Sequence, residues 1–283
     1  MIILMGADGM LGSMLASQMA ARSMVFTPCT FPTYDITRPE TLRPLARLHP
    51  AVIINATAYT AVDLAETEPE KAYSVNAEGV KTLALFAKEI GARLIHFSTD
   101  YVFSGQSSQG YFESDPTEPQ SVYGQTKLAG EQAIRDILPV SQWIILRTAW
   151  LYGPNGKNFV QTMLTLAQQG KPLRVVNDQI GCPTYSGDLA QWTLDLLSTS
   201  AAGIYHAVND GACSWYEFAN TIFEKQNLKV TVFPVTSDAF PTVARRPAYS
   251  ILNARRLSHA LNCPIRKWPE ALSEYLASFT LRA

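Results

Sequence analysis

Apolar positions in the first half of the chain follow two alternating periods. Short runs, "IILM" (2–5), "VIIN" (52–55), "RLIHF" (93–97) and "WIILR" (143–147), are β-rich and closed by turn residues. They are apolar nearly throughout rather than at every second position, which predicts strands buried on both faces of a parallel sheet. "MVFTP" (24–28) predicts a weaker strand. Between them lie "MLGSMLASQMAA", "PETLRPLARL", "AYSVNAEGVKTLALFAKEIG" and "YGQTKLAGEQAIRDIL", whose apolar residues recur at helical spacing. Strand and helix in succession predict the α/β class: a Rossmann-like, doubly wound parallel sheet over residues 1–150.

Beyond residue 150 the pattern loosens, and Pro and Gly punctuate "YGPNGKNF", "DQIGCPTYSGD" and "FPTVARRPAYS". Helices are predicted at about 186–198, 214–226 and 268–279, interleaved with short strands. Residues 151–283 are therefore expected to form a smaller C-terminal α/β substrate-binding region, some of whose segments return to the Rossmann sheet.

Composition narrows the function classes. A formal net charge of -1, from 23 basic and 24 acidic side chains, gives no ground to expect nucleic acid or an anionic membrane surface as a partner. Cys29, Cys182, Cys213 and Cys263 are scattered without a C-x-x-C, which argues against a disulfide framework or a zinc site and for a reducing cytoplasm. The start of the chain lacks the basic region of a signal peptide, and no apolar run approaches the ~20 residues that span a bilayer. His49, His96, His206 and His259 share no ligand spacing, so no metal is expected. His96 reads as a satisfied core histidine. The acids Asp63, Glu66, Glu68 and Glu70 read as a solvated helix start, where the helix dipole favours negative charge.

The candidate chemistry begins at "GADGMLG". Gly6, Gly9 and Gly12 follow the first strand and open a helix. Missing Cβ atoms let a backbone approach a pyrophosphate, and the helix N-terminus offers free N–H groups. Asp35 stands where an acid could hold an adenosine ribose or serve only as a loop acid. "HFSTDYVFSG" brings Thr99, Asp100 and Tyr101 to the carboxyl end of the fourth strand, the edge where open α/β sheets bind ligands. In "SVYGQTK", Tyr123 and Lys127 are four apart and share a helix face. A nearby ammonium is expected to lower the phenol's pKa from its ordinary ~10. With the Thr99 hydroxyl sharing the substrate oxygen, this is an acid/base set for reducing a ketone with a hydride from nicotinamide.

These motifs resemble the extended short-chain dehydrogenase/reductase family, and within it the dTDP-4-dehydrorhamnose reductases. The resemblance rests on "NATAYTAVDLAETEPEKAYSVNAEGV", "HFSTDYVFSG", "VYGQTKLAGE", "RTAWLYGPNGKNFVQTML", "DQIGCPTYSGDLA" and "ARRPAYSILN", which cover nearly the whole chain in order. It implies NADPH- or NADH-dependent reduction of the C4 ketone of a dTDP-linked 4-keto-6-deoxyhexose, with Thr99, Tyr123 and Lys127 catalytic. It implies cofactor contacts from the loop Gly6, Gly9, Met10, Leu11 and Gly12, from Asp35 and Ile36, from Ala58, Tyr59 and Thr60, and from Tyr123 and Lys127. Substrate contacts are implied for Thr99, Asp100, Tyr101, Trp150, Asn158 and Arg246. Sister reductases or epimerases, and a non-catalytic NADP-binding regulatory subunit, are the alternatives within the same family. Many relatives carry "NAAAHT" and "RRPHNS" where this chain has "NATAYT" and "RRPAYS", so Thr57, Tyr59, Ala248 and Tyr249 differ. Some members dimerise around magnesium through an acid in the first helix. "GSMLASQMAA" has none, and a monomer or weak homodimer is expected.

Overall fold

A computed structural model describes residues 1–278. Its central sheet has six strands: β1 (Ile2–Met5), β2 (Phe26–Cys29), β3 (Val52–Asn55), β4 (Arg93–Thr99), β5 (Trp143–Thr148) and β6 (Gly203–His206). They are parallel throughout, in the order β6-β5-β4-β3-β1-β2. The doubly wound class read from the sequence is the class observed. Four longer helices flank the sheet: α1 (Met10–Ala21), α2 (Val80–Ile90), α3 (Val122–Ile137) and α4 (Ser186–Leu196).

The inner strands are apolar at successive positions because each face of the sheet has its own core. Ile2, Leu4, Ile54, Ile95, Ile144 and Leu146 pack on one face, under Leu11, Leu15 and Met19 of α1 and Leu189 and Trp192 of α4. Ile3, Met5, Ile53, Leu94 and Ile145 pack on the other, under Leu83, Ala84 and Ala87 of α2 and Ile134 of α3. Full burial of each Leu or Ile contributes about 1.5–3 kcal/mol. A third core gathers Tyr152, Val160, Phe218, Ile222 and Leu272 from the C-terminal half. That half also supplies β6, which lies beside β5 at the sheet edge.

Several elements depart from the expected pattern. β2 falls at Phe26–Cys29, slightly later than "MVFTP". In "PETLRPLARL" only Pro39–Leu42 is α-helical; Pro44, which has no N–H, leads into a 3-10 segment over Arg43–Leu48. The single helix expected over 72–91 is instead an α-helix (Pro69–Tyr73), a π-helical turn (Ser74–Gly79) and α2. The C-terminal helices span Ser186–Leu196, Trp215–Lys225 and Trp268–Ser278; residue 279, expected in the last, lies outside the described residues. The helix at Trp215 starts on a capping box between Ser214 and Glu217. No helix among the described residues is long and apolar enough to cross a membrane.

Two features of the sheet place the site. The strand order reverses between β1 and β3, opening a crevice at their carboxyl ends. β4 also runs past its apolar stretch, because Ser98 and Thr99 continue to pair with Arg147 and Thr148 of β5.

Candidate active site

The glycine loop divides its labour. Gly6 has φ +71 and donates its N–H to the Cys29 carbonyl at 2.8 Å; a Cβ there would stand 3.0 Å from the backbone of Ala56 and Thr57. A Cβ on Gly12 would lie 1.9 Å from the Gly6 carbonyl oxygen. These two glycines are needed for packing. Gly9 is different: its Cβ would meet only the Gly6 oxygen, at an ordinary 3.5 Å. No side chain caps α1, and its first turn carries no acid. The N–H groups at Met10, Leu11 and Gly12 thus form a positive helix end suited to an anion.

Two hollows meet at this loop and share Gly9, Ala56 and Ala58. The outer one, about 700 Å³, passes Tyr34, Asp35, Ile36 and Tyr59. The inner one, about 550 Å³, reaches Met10, Leu11 and Thr60, then Thr99, Tyr123 and Lys127. A long groove with a bare helix N-terminus at its middle fits a dinucleotide whose pyrophosphate sits on the loop. Asp35 lines it with one carboxylate oxygen already engaged by the Thr37 N–H (2.9 Å) and hydroxyl (2.8 Å). Tyr59 is fixed by Asn76, whose amide oxygen accepts its N–H at 2.9 Å and whose NH2 donates to its carbonyl at 3.0 Å. Asn76 belongs to the π-helical turn, and its NH2 also reaches the Thr126 hydroxyl on α3 at 3.1 Å.

Thr99, Asp100 and Tyr101 emerge from β4 into the inner cleft opposite α3. Thr99 donates to the Asp100 carboxylate at 2.9 Å. α3 is started by Ser121, whose side chain accepts the Gly124 N–H, and by Glu66, which accepts the Val122 N–H at 2.8 Å. That start sets Tyr123 in the first turn and Lys127 one turn later, and both line the cleft. Tyr101 meets the Tyr123 ring edge to face at 5.5 Å.

The expected lowering of the Tyr123 pKa is not observed. Burial, reinforced by the Asp100 carboxylate, pushes the phenol up, and a hydrogen bond from Thr99 opposes this only in part. Lys127 is itself buried and pushed down to about 8, with Glu131 pulling the other way. It therefore loses its charge at a lower pH than the one at which the phenol ionises, so no ammonium remains then to favour the phenolate. The Lys127 Nζ is anchored on the Phe97 carbonyl at 2.7 Å. Burial also raises Asp100 to about 6, against hydrogen bonds from Thr99 and Ser250.

Of the other expected substrate contacts, Trp150 lines the cleft at φ +46 with its ring stacked on Trp215, centroids 3.4 Å apart and 6° from parallel. Arg246 also lines it, paired with Asp63 at 2.9 Å and 3.4 Å from the Tyr101 hydroxyl. Asn158 is not brought to the cleft. Its oxygen caps the helix Phe159–Ala167, and its NH2 donates to the carbonyls of Gly153 and Gly156. The acids expected to be merely solvated hold parts together: Asp63 holds Arg246, Glu66 caps α3 and Glu68 accepts the Tyr59 hydroxyl at 3.0 Å. Trp215, Lys157 and Gln179 line the cleft without having been anticipated; only the capping box before Trp215 carried a local signal.

A family model described as the RmlD substrate binding domain matches residues 1–281. The chain is 42% identical over 276 residues to the spore coat polysaccharide biosynthesis protein SpsK of Bacillus subtilis, covering 97% of this chain and 96% of that one. It is 41% identical to a dTDP-4-dehydrorhamnose reductase of Streptomyces griseus, over 98% of this chain and 93% of the relative. Among solved structures, the dTDP-4-dehydrorhamnose reductase of Bacillus anthracis in complex with NADP superimposes with a TM-score of 0.94 at 38% identity, covering 98% and 99% of the two chains.

Proposed function

The chain belongs to the RmlD substrate binding domain family, and from that membership we propose that it reduces the C4 ketone of dTDP-4-dehydro-L-rhamnose to dTDP-L-rhamnose, using NADPH or NADH. The observation that carries this reading is that Thr99, Tyr123 and Lys127 share one cleft, continuous with a groove built for a dinucleotide. When bound, the cofactor supplies the hydride.

The chain's own residues do the rest. The glycine loop and the N–H groups of Met10, Leu11 and Gly12 hold the pyrophosphate, and Asp35, Ile36, Ala58, Tyr59 and Thr60 line the path of the dinucleotide. Tyr123 keeps its proton at neutral pH because burial favours the neutral phenol. It therefore holds the proton that the reduced carbonyl oxygen takes up. Thr99 orients that oxygen, with Asp100 and Tyr101 beside it. Trp150 offers an apolar wall to the deoxysugar, and Arg246 a fork for the diphosphate. The proposal places the reaction in the cytoplasm, carried out by a monomer or weak homodimer. Cys29, Cys182, Cys213 and Cys263 are all free thiols, which suits a reducing compartment.

The test is NADPH oxidation by the purified chain on dTDP-4-dehydro-L-rhamnose, with the sugar product identified by NMR. Stoichiometric formation of dTDP-L-rhamnose is expected. Tight NADPH binding without turnover of this ketone would overturn the proposal and leave a cofactor-binding protein.

A further inference from the structure

Behind Lys127 runs a buried polar chain that the proposed reaction has not yet used. β3 and β4 pair with Asn55 directly opposite His96. The Asn55 Oδ1 accepts the Thr57 backbone N–H at 3.1 Å. A backbone N–H can only donate, so this atom is the amide oxygen and the other is the NH2. That NH2 lies 3.1 Å from His96 Nδ1. Nδ1 must then carry the lone pair, and the neutral imidazole keeps its proton on Nε2. Nε2 in turn lies 3.4 Å from the Lys127 Nζ. Asn55, His96 and Lys127 are at most 2% exposed, so bulk water offers none of them an alternative partner.

An ammonium has three N–H groups and no lone pair, so it would meet Nε2–H donor to donor. A free amine can accept that proton while still donating to the Phe97 carbonyl. We propose that Asn55 and His96 are positioning residues that set the charge of Lys127, by presenting it with the Nε2–H face of a fixed tautomer. The inference deepens the ketoreductase reading, and its reaction consequence rests on it.

The other groups around Lys127 leave this bias standing. Glu131, one turn along α3, favours the ammonium, but both its oxygens are held by Arg147 of β5, at 2.9 and 2.7 Å. Asp100, beyond the end of β4, is drawn toward its neutral form and Tyr123 is held in its own. His96 is kept uncharged, first by burial and then by Lys127. Burial holds Lys127 at about 8, with Glu131 opposing. Below that pH its ammonium favours the phenolate that Tyr123 leaves behind as its proton departs; above it, that help is gone.

The test follows the tautomer directly. In the full-length chain labelled with nitrogen-15 histidine, long-range proton–nitrogen correlations should give His96 a protonated Nε2 and a bare Nδ1, the signal being assigned by its loss in His96→Gln. Asn55→Asp turns the donor facing Nδ1 into an acceptor. The proton should move to Nδ1, Nε2 should become an acceptor for the ammonium, and the Lys127 Cε resonance should titrate at least about one unit higher. His96→Gln, whose amide oxygen can face Lys127, should raise it in the same direction if Asn55→Asp does not fold. In single-turnover reduction the alkaline limb should shift with it, leaving each variant about tenfold faster than wild type, relative to its own plateau, well above that limb. A wild-type His96 protonated on Nδ1, or an unchanged Lys127 titration in the folded variants, would overturn the inference. The spectra need no substrate, so failure of the ketoreductase reading would appear separately, as a correct tautomer without turnover.

Discussion

Tyr123 and Lys127 are four residues apart on one helix face, yet the chemistry of each is set by groups from other elements. The spacing was legible in the sequence. The direction of the Tyr123 shift was not, because it depends on burial in the folded cleft and on the Asp100 carboxylate. His96 is the core histidine the sequence suggested, 0% exposed, and its tautomer became readable only once the β3–β4 register placed Asn55 beside it. Tyr123→Phe keeps the ring and removes the proton; kcat should fall by roughly 10² to 10⁴ with NADPH affinity retained, measured by steady-state kinetics and cofactor titration. Asp100 makes a second prediction, about stability. Its carboxyl is raised from 3.8 to about 6 in the folded chain. Between those values the folded state binds more protons than the unfolded, so stability falls as pH rises through that window and stays lower above it. The loss is on the order of 3 kcal/mol. Asp100→Asn should recover much of it: urea midpoints should favour the variant above about pH 7 and converge with wild type toward about pH 4. A gap independent of pH would rule out this account of Asp100.

At the scale of elements, the glycine loop was the most readable piece, since strand, turn and helix start are all local. Its internal division of labour was not, because it depends on what stands opposite each Cα. Gly9→Val should weaken NADPH binding at least tenfold while leaving the thermal unfolding midpoint within a few degrees of wild type. Gly12→Ala should lower that midpoint markedly, because its methyl would be forced onto the Gly6 carbonyl. Equal effects of both substitutions on stability would show that Gly9 also serves packing. The π-helical turn at Ser74–Gly79 was illegible for a related reason. It sets Asn76 between the Tyr59 backbone and Thr126, and α3 approaches so closely that a Cβ on Gly130 would lie 2.2 Å from the Asn76 carbonyl oxygen. A helical pattern in one segment carries no trace of a partner fifty residues away. Pro44, by contrast, stood in plain view within a segment read as one helix.

For the whole molecule, strand–helix alternation was enough to read the sheet, because the inner strands are buried on two faces and most of the flanking helices on one. The cleft was less legible, since it is closed by distant pieces of the C-terminal half: Gln179, Trp215 and Arg246 all face residues delivered by β4, β5 and α3. Trp150 and Trp215 come together in that closure. Trp150 sits at φ +46, costly for a bulky side chain, and a Cβ on Gly181 would lie 2.4 Å from its ring. Two indoles held face to face at 3.4 Å have strongly coupled electronic transitions. Any in-plane skew between their transition dipoles should give the protein a circular-dichroism couplet of paired positive and negative lobes, which Trp215→Phe abolishes while the backbone bands remain. Because the pair forms part of the cleft wall, the couplet makes that wall optically visible. A nucleotide-sugar that slides between or tilts these rings announces its arrival as a change in the handed absorption of light, with no dye, label or turnover required.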